Sequence, residues 1–161
     1  LVDPSAATEN QIGNATYMMA SGEAARSFDV SSNSRLRTFA EAQVGVENLV
    51  RLGGDFIIGE YGVGDLLIRD VESGQLYRSV AGSGPGVSFI LGADAAYVAD
   101  SIYLPEDEGY QLTDARYRAR AAVHWHGERF GVFYGLTWLS EEFEAQKDSQ
   151  VVGSLHLEFQ F

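Results

Sequence analysis

Over 35–46, 48–58, 87–98, 115–125, 130–139 and 151–161, apolar side chains recur at alternate positions and the charges fall on the opposite side. Ala115, Tyr117, Ala119, Ala121, Val123 and Trp125 alternate with Arg116, Arg118, Arg120, Ala122 and His124. In an extended strand successive side chains point to opposite faces, so three guanidiniums share one face and an apolar ridge occupies the other. A helix would scatter those arginines around its circumference. The same alternation runs through Phe130, Val132, Tyr134, Leu136 and Trp138, and again through Val151, Gly153, Leu155, Leu157, Phe159 and Phe161. Arg35, Arg37 and Glu41 share a parity, Arg51 and Asp55 share one, and Asp94 and Glu158 lie opposite their ridges. One face of the predicted sheet therefore carries no charge.

Two architectures keep charge off one face. A soluble barrel, sandwich or lipocalin-like protein turns the apolar face inward. An outer-membrane barrel inverts this, with the ridge on lipid and the polar face in the lumen. The make-up of the faces favours the second. Large aromatics cluster toward strand ends on the apolar side (Tyr97, Tyr117, Trp125, Phe130, Trp138 and Phe161), with Tyr134 and Phe159 on the same ridges. The opposite face alternates its charges with Gly, Ala and Ser, which suits a crowded lumen. The longest uncharged stretch, 79–93, is 15 residues and is interrupted by Gly and Pro. That is short of the roughly 20 apolar residues of a transmembrane helix. Without a basic leader or an initiating Met, the chain is expected to be a processed or truncated product.

The expected fold is therefore all-β, an antiparallel up-and-down transmembrane barrel forming one domain over 1–161. Eight strands are expected at 14–20, 35–46, 48–69, 75–81, 86–100, 113–125, 129–140 and 149–161. Placing Phe161 at the periplasmic rim puts the turns His126 to Glu128 and Gly82 to Pro85 at that end. The loops Ser101 to Leu112 and Ser140 to Asp148, and a turn at Asp70 to Gly74, then fall outside. Eight strands leave a lumen that side chains fill, so no open pore is expected. Arg51, Asp55, Asp94, Arg116, Arg118, Arg120, His156 and Glu158 would share it. Buried charges require partners, so the expectation is an ion-pair network that holds the barrel closed. The other reading is a polar relay or a lipid-headgroup site.

Composition removes other classes. With 11 Lys+Arg against 23 Asp+Glu the net charge is −12, which argues against a nucleic-acid partner. There is no Cys, hence no thiolate nucleophile and no disulfide. His124 and His126 share a strand face at metal-ligand spacing, yet no carboxylate is fixed beside them in sequence, and no metal site is expected. Ser154, His156 and Glu158 imitate a triad, but positions two apart in a strand lie about 6.6 Å apart, too far for a proton relay. Gly82, Gly84 and Gly86 precede no helix, so they are not a nucleotide loop. The acidic runs Glu106 to Glu108 and Glu141-Glu142 read as solvated loops, with divalent-ion collection as the alternative.

The C-terminal Leu157-Glu158-Phe159-Gln160-Phe161 resembles the signature by which bacterial outer-membrane barrels are recognised by their assembly machinery. Further motifs are Glu47 to Asp55, Glu142-Phe143-Glu144-Ala145-Gln146, Gly153-Ser154-Leu155-His156-Leu157, and a loosened Ala-Asp-x-x-x-Val-x-x-x-Ile-x-Leu run from Ala93 to Leu104. Together they resemble the outer-membrane lipid A 3′-O-deacylase family over 35–161. The resemblance implies residence in the bacterial outer membrane, contact with lipid A, a larger twelve-stranded family barrel and acyl-ester hydrolysis assisted by calcium. The family's catalytic His, Asn-Asp and Thr belong to its N-terminal half. No His precedes position 124 and no Asn-Asp pair occurs here, so no catalytic residue carries over. The expectation is a deacylase-like barrel lacking that half, with an active esterase or a soluble binding protein as alternatives.

Overall fold

A computed structural model describes residues 16–80, 85–102, 113, 115–143 and 146–159. Among these residues there is no helix. Seven strands form one antiparallel sheet in the order β1 (Ala20–Ser31), β2 (Ser34–Val44), β3 (Glu47–Ile58), β6 (Gly86–Ser101), β7 (Ala115–His126), β8 (Phe130–Leu139) and β9 (Gln150–Phe159). Two short strands, β4 (Leu66–Arg69) and β5 (Leu76–Val80), pair only with each other. The up-and-down order is thus interrupted once, between β3 and β6, where a hairpin is inserted and packs on one face of the large sheet.

The register explains why the alternation was legible. Directly opposed residues share a face, and the rows run unbroken across strands: Arg37, Asp55, Gly92, Arg120 and Thr137 form one row on the hairpin side. That inner face buries its polar groups, with Asp55 0% and Arg120 4% exposed. The outer face is open, with Leu155 67%, Tyr134 49% and Trp138 40% exposed. Tyr97, Tyr117, Trp125 and Phe159 are also exposed on that side. Phe130 is half-buried there, between Trp125 and Phe159 at ring separations of 6.0 and 5.2 Å. Most of these aromatics sit near strand ends; Tyr134 lies mid-strand, opposite Val123 and Leu155. Phe161 lies outside the described residues. Every charged residue of β2, β3, β7 and β9 points inward; Asp100 in β6, opposite Asn48, and Arg26 in β1 point outward, the Arg26 guanidinium lying 5.1 Å from the Phe28 ring.

Three expectations about strands need correction. The first strand runs from Ala20 to Ser31, not over 14–20. Its outer row is Ala20, Gly22, Ala24, Arg26, Phe28 and Val30, too weakly apolar to announce itself. The segments 48–69 and 75–81 are not two wall strands: β3 ends at Ile58, and the rest builds the inserted hairpin. Gly59, Gly62 and Gly64 have positive φ, so the chain can turn sharply off the wall there. The turn at Asp70 to Gly74 is the hairpin tip, tucked against the inner face, with Ser73 and Gln75 buried. By contrast the tight turn after His126 is as expected, closed by Gly127 N–H donating to Phe130 O at 2.8 Å. The Gly82 to Pro85 turn falls mostly outside the described residues.

The hairpin fills one end of the inner face with an apolar core. Ile57, Tyr61, Leu76, Ile90 and Phe133 are buried together, with Leu67, Tyr77 and Ala122 against them. Its tip is pinned by side chains of the wall. Arg118 NH1 donates to Val71 O at 2.7 Å, Thr137 Oγ1 donates to Ser73 O at 3.0 Å, and Gln75 Nε2 donates to Thr137 Oγ1 at 3.1 Å. A Cβ at Gly135 would stand 2.6 Å from Gln75 Nε2, so a glycine is what lets the hairpin approach the wall.

The outward direction of the ridges yields a measurement. Leu136→Arg, in the middle of β8's outer row, is expected to cost about 2–4 kcal/mol in denaturant unfolding from lipid bilayers. A loss within about 0.5 kcal/mol would mean that this face meets water.

Candidate functional site

The inner face carries its charges in two clusters. The larger spans β2, β3, β6 and β7 and centres on Asp55 and Asp94. Asp94 Oδ1 accepts from Arg118 Nε at 2.9 Å and lies 3.2 Å from Arg51 Nε, while its Oδ2 accepts from Arg120 NH1. Asp55 Oδ1 accepts from Arg120 Nε at 2.8 Å, and Oδ2 accepts from Arg69 NH2 at 2.8 Å. Arg69 comes from the hairpin, reaches on to Glu23 of β1 at 2.6 Å and stacks 3.5 Å above the Phe39 ring. Arg51 also pairs with Glu41 at 3.0 Å, and Arg116 with Glu47 at 2.9 Å.

Backbone spacing alone does not allow this network. Asp55 and Arg120 sit on strands separated by β6 and meet directly above Gly92. A Cβ there would collide with Asp55 Oδ1 and Arg120 Nε. The glycine is a gap through which two charges touch across an intervening strand. Asp55 and Asp94, with Glu41 on Arg51 and Glu23 on Arg69, set four carboxylates against four guanidiniums, which explains the burial.

The second cluster lies at the end of the sheet near the β7–β8 turn. Arg78 of β5 donates through NH2 to Glu158 Oε2 at 2.5 Å, and the same nitrogen lies 3.0 Å from His126 Nδ1. Arg78 NH1 is 3.9 Å from Asp65 Oδ2. His124 and His126 lie nearly parallel, ring centres 5.9 Å apart, and Tyr61 meets His124 edge-on at 4.7 Å. Burial pushes the Tyr61 phenol above its ordinary range, and nearby Glu158 adds to that. Tyr61 therefore stays a neutral donor, to Leu76 O at 2.7 Å.

The structure thus brings together Arg51, Asp55, Asp94, Arg118 and Arg120, and seats Arg116 near them beside Glu47. Glu158 belongs to the other cluster. His156 packs against Tyr77 at a ring separation of 5.3 Å. Sequence reasoning missed Arg69, Arg78, Tyr61 and Asp65, all contributed by the inserted hairpin and its approach. The available signal was a span of 48–81 too long and too glycine-broken around 59–64 for plain wall strands. A cavity of about 360 Å³ opens beside the first cluster, at the opposite end of the sheet from the histidines. It is lined by Arg51, Arg116 and Arg118 together with Glu47, Glu72 and Glu142.

Calcium, implied by the resemblance, does not fit what converges here. Among the described residues the one group of His and carboxylate side chains close enough to share an ion is His124, His126 and Glu158. Two imidazoles and one carboxylate are poor donors for a cation that takes six to eight oxygens. Asp55 and Asp94 are already engaged by arginine. No chemical step is assigned to calcium.

A family model described as outer membrane protein LpxR matches residues 9–161, almost the whole chain. The chain belongs to that family. It is a protein of the bacterial outer membrane, and membership agrees with a lipid A deacylase-like protein. No curated protein and no solved structure matches it.

Asp94→Ala would leave three arginines short of their shared carboxylate. An expected loss of about 3–5 kcal/mol follows from stranding buried charge, read as the denaturant midpoint of the folded protein in detergent. A loss below about 1 kcal/mol would show that water already solvates the cluster.

Proposed function

We propose that this chain is a lipid-embedded barrel wall that contacts lipid A and does not itself hydrolyse it. The carrying observation is the pairing of faces: an exposed apolar face with Leu136, Leu155 and Leu157 backs onto buried arginines and aspartates. In water that arrangement would expose many large apolar side chains while enclosing the charges, the reverse of a soluble protein. Aromatics at both ends of the outer face suit the two membrane interfaces. We infer the orientation in which the β9 end is periplasmic, with Phe161 read by the barrel assembly machinery. The turn at His126 to Glu128 then lies at the periplasmic end, and the hairpin enters the lumen from that side.

The absence of hydrolysis rests on how the polar groups are used. Glu158 is bound by Arg78, and His156 packs on Tyr77. Ser154 and His156 are successive inward positions of one strand, about 6.6 Å apart. The arginines of the larger cluster are ion-paired with its own carboxylates, which supports a structural network over a headgroup relay.

Expression in bacteria followed by mass spectrometry of lipid A separates the readings. The expected result is a membrane-fractionating protein, extracted by detergent, with an unchanged acyl pattern. Loss of one acyl chain would replace this reading with an active esterase. Recovery from the aqueous fraction as a folded protein would overturn membrane residence.

A further inference from the structure

We propose that His124, His126 and Glu158 form a binding site for a divalent transition-metal ion of the zinc class, held closed by Arg78 when no metal is present. The three residues come from two strands that are not neighbours. His124 and His126 are successive inward positions of β7, and Glu158 lies on β9 beyond β8. His126, Gly131 and Glu158 form one row, and Gly131 provides the space between them: a Cβ there would stand 2.8 Å from His126 Nδ1 and 3.1 Å from Glu158 Oε2.

Their geometry is that of ligands. His124 Nε2 faces Glu158 Oε1 at 3.5 Å, and both atoms are buried without a hydrogen-bond partner. His126 Nδ1 is 3.8 Å from Glu158 Oε2. One ligand atom from each residue can be chosen so that all lie within 4.8 Å of one another. Four-coordinate zinc with bonds near 2.0–2.1 Å sets neighbouring ligand atoms about 3.4 Å apart. A nitrogen and a carboxylate oxygen at that separation, both orphaned and buried, are placed to share an ion. Two imidazoles and a carboxylate select zinc, cobalt or nickel over calcium or magnesium.

A cation already sits beside this site. Arg78 NH2 holds Glu158 Oε2 and touches His126 Nδ1, and its NH1 stands 3.9 Å from Asp65 Oδ2. Metal binding is therefore an exchange: the ion takes Glu158 and both imidazoles, and the guanidinium turns to Asp65. The inference does not depend on lipid A contact, so it stands or falls apart from the reading above.

The test is titration of the chelator-treated, detergent-folded full chain with Co²⁺, followed by its visible absorption, and with Zn²⁺ by competition. One saturable equivalent is expected, with His124→Ala and Glu158→Gln each weakening binding at least tenfold. Arg78→Met should tighten binding about tenfold, a gain that misfolding would not produce. Heat-dependent mobility in detergent gels checks the fold of each variant. Absence of saturable binding in both the unaltered chain and Arg78→Met overturns the proposal, as does binding that survives His124→Ala in a folded variant.

Discussion

Buried charge must be compensated, and most of this molecule's inner architecture follows from meeting that requirement. Asp55 and Asp94 are each gripped by more than one arginine, and the grips come from β3, β7 and the inserted hairpin. No single pair would offset the cost of leaving water; a shared cluster does, because each added arginine meets a carboxylate that is already dehydrated and held. The cluster also ties strands that the backbone ladder does not join directly. β3 reaches β7 over Gly92, and β1 reaches the hairpin through Glu23 and Arg69.

The hairpin is the second consequence. An inner face that carries charge in the middle and Ile57, Ile90 and Phe133 at one end needs something to cover the apolar end. β4 and β5 do so with Leu67, Leu76 and Tyr77, and they supply Arg69 and Arg78 to the two clusters in passing. Its tip accepts hydrogen bonds from Arg118 and Thr137, so a plug and a wall share one polar network. An inner face covered in this way holds glycines, such as Gly92 and Gly131, where side chains from distant strands must cross.

Outside, the physics is simpler. A largely apolar face with aromatics toward both margins suits a nonpolar solvent, and membership of an outer-membrane protein family agrees with that. Arg26 departs from that pattern, and its contact with the Phe28 ring offers partial compensation. The two histidines near the β7–β8 turn gain meaning only beside Glu158, which lies more than thirty positions later in the chain.

The amino-acid order by itself determined the strand faces and the inward direction of Arg51, Asp55, Asp94, Arg118 and Arg120. All of these follow from a period of two, a local property that any short window displays. It did not announce β1, whose outer row is too weakly apolar, or the hairpin, whose strands are four and five residues long. Nor could it pair Arg69 with Asp55, Arg78 with Glu158, or His124 with Glu158. Those partnerships depend on how the chain leaves the wall after Ile58 and on which glycines open space between strands. Only the folded molecule decides that, because alternation specifies a side chain's face but not the distant residue waiting for it there.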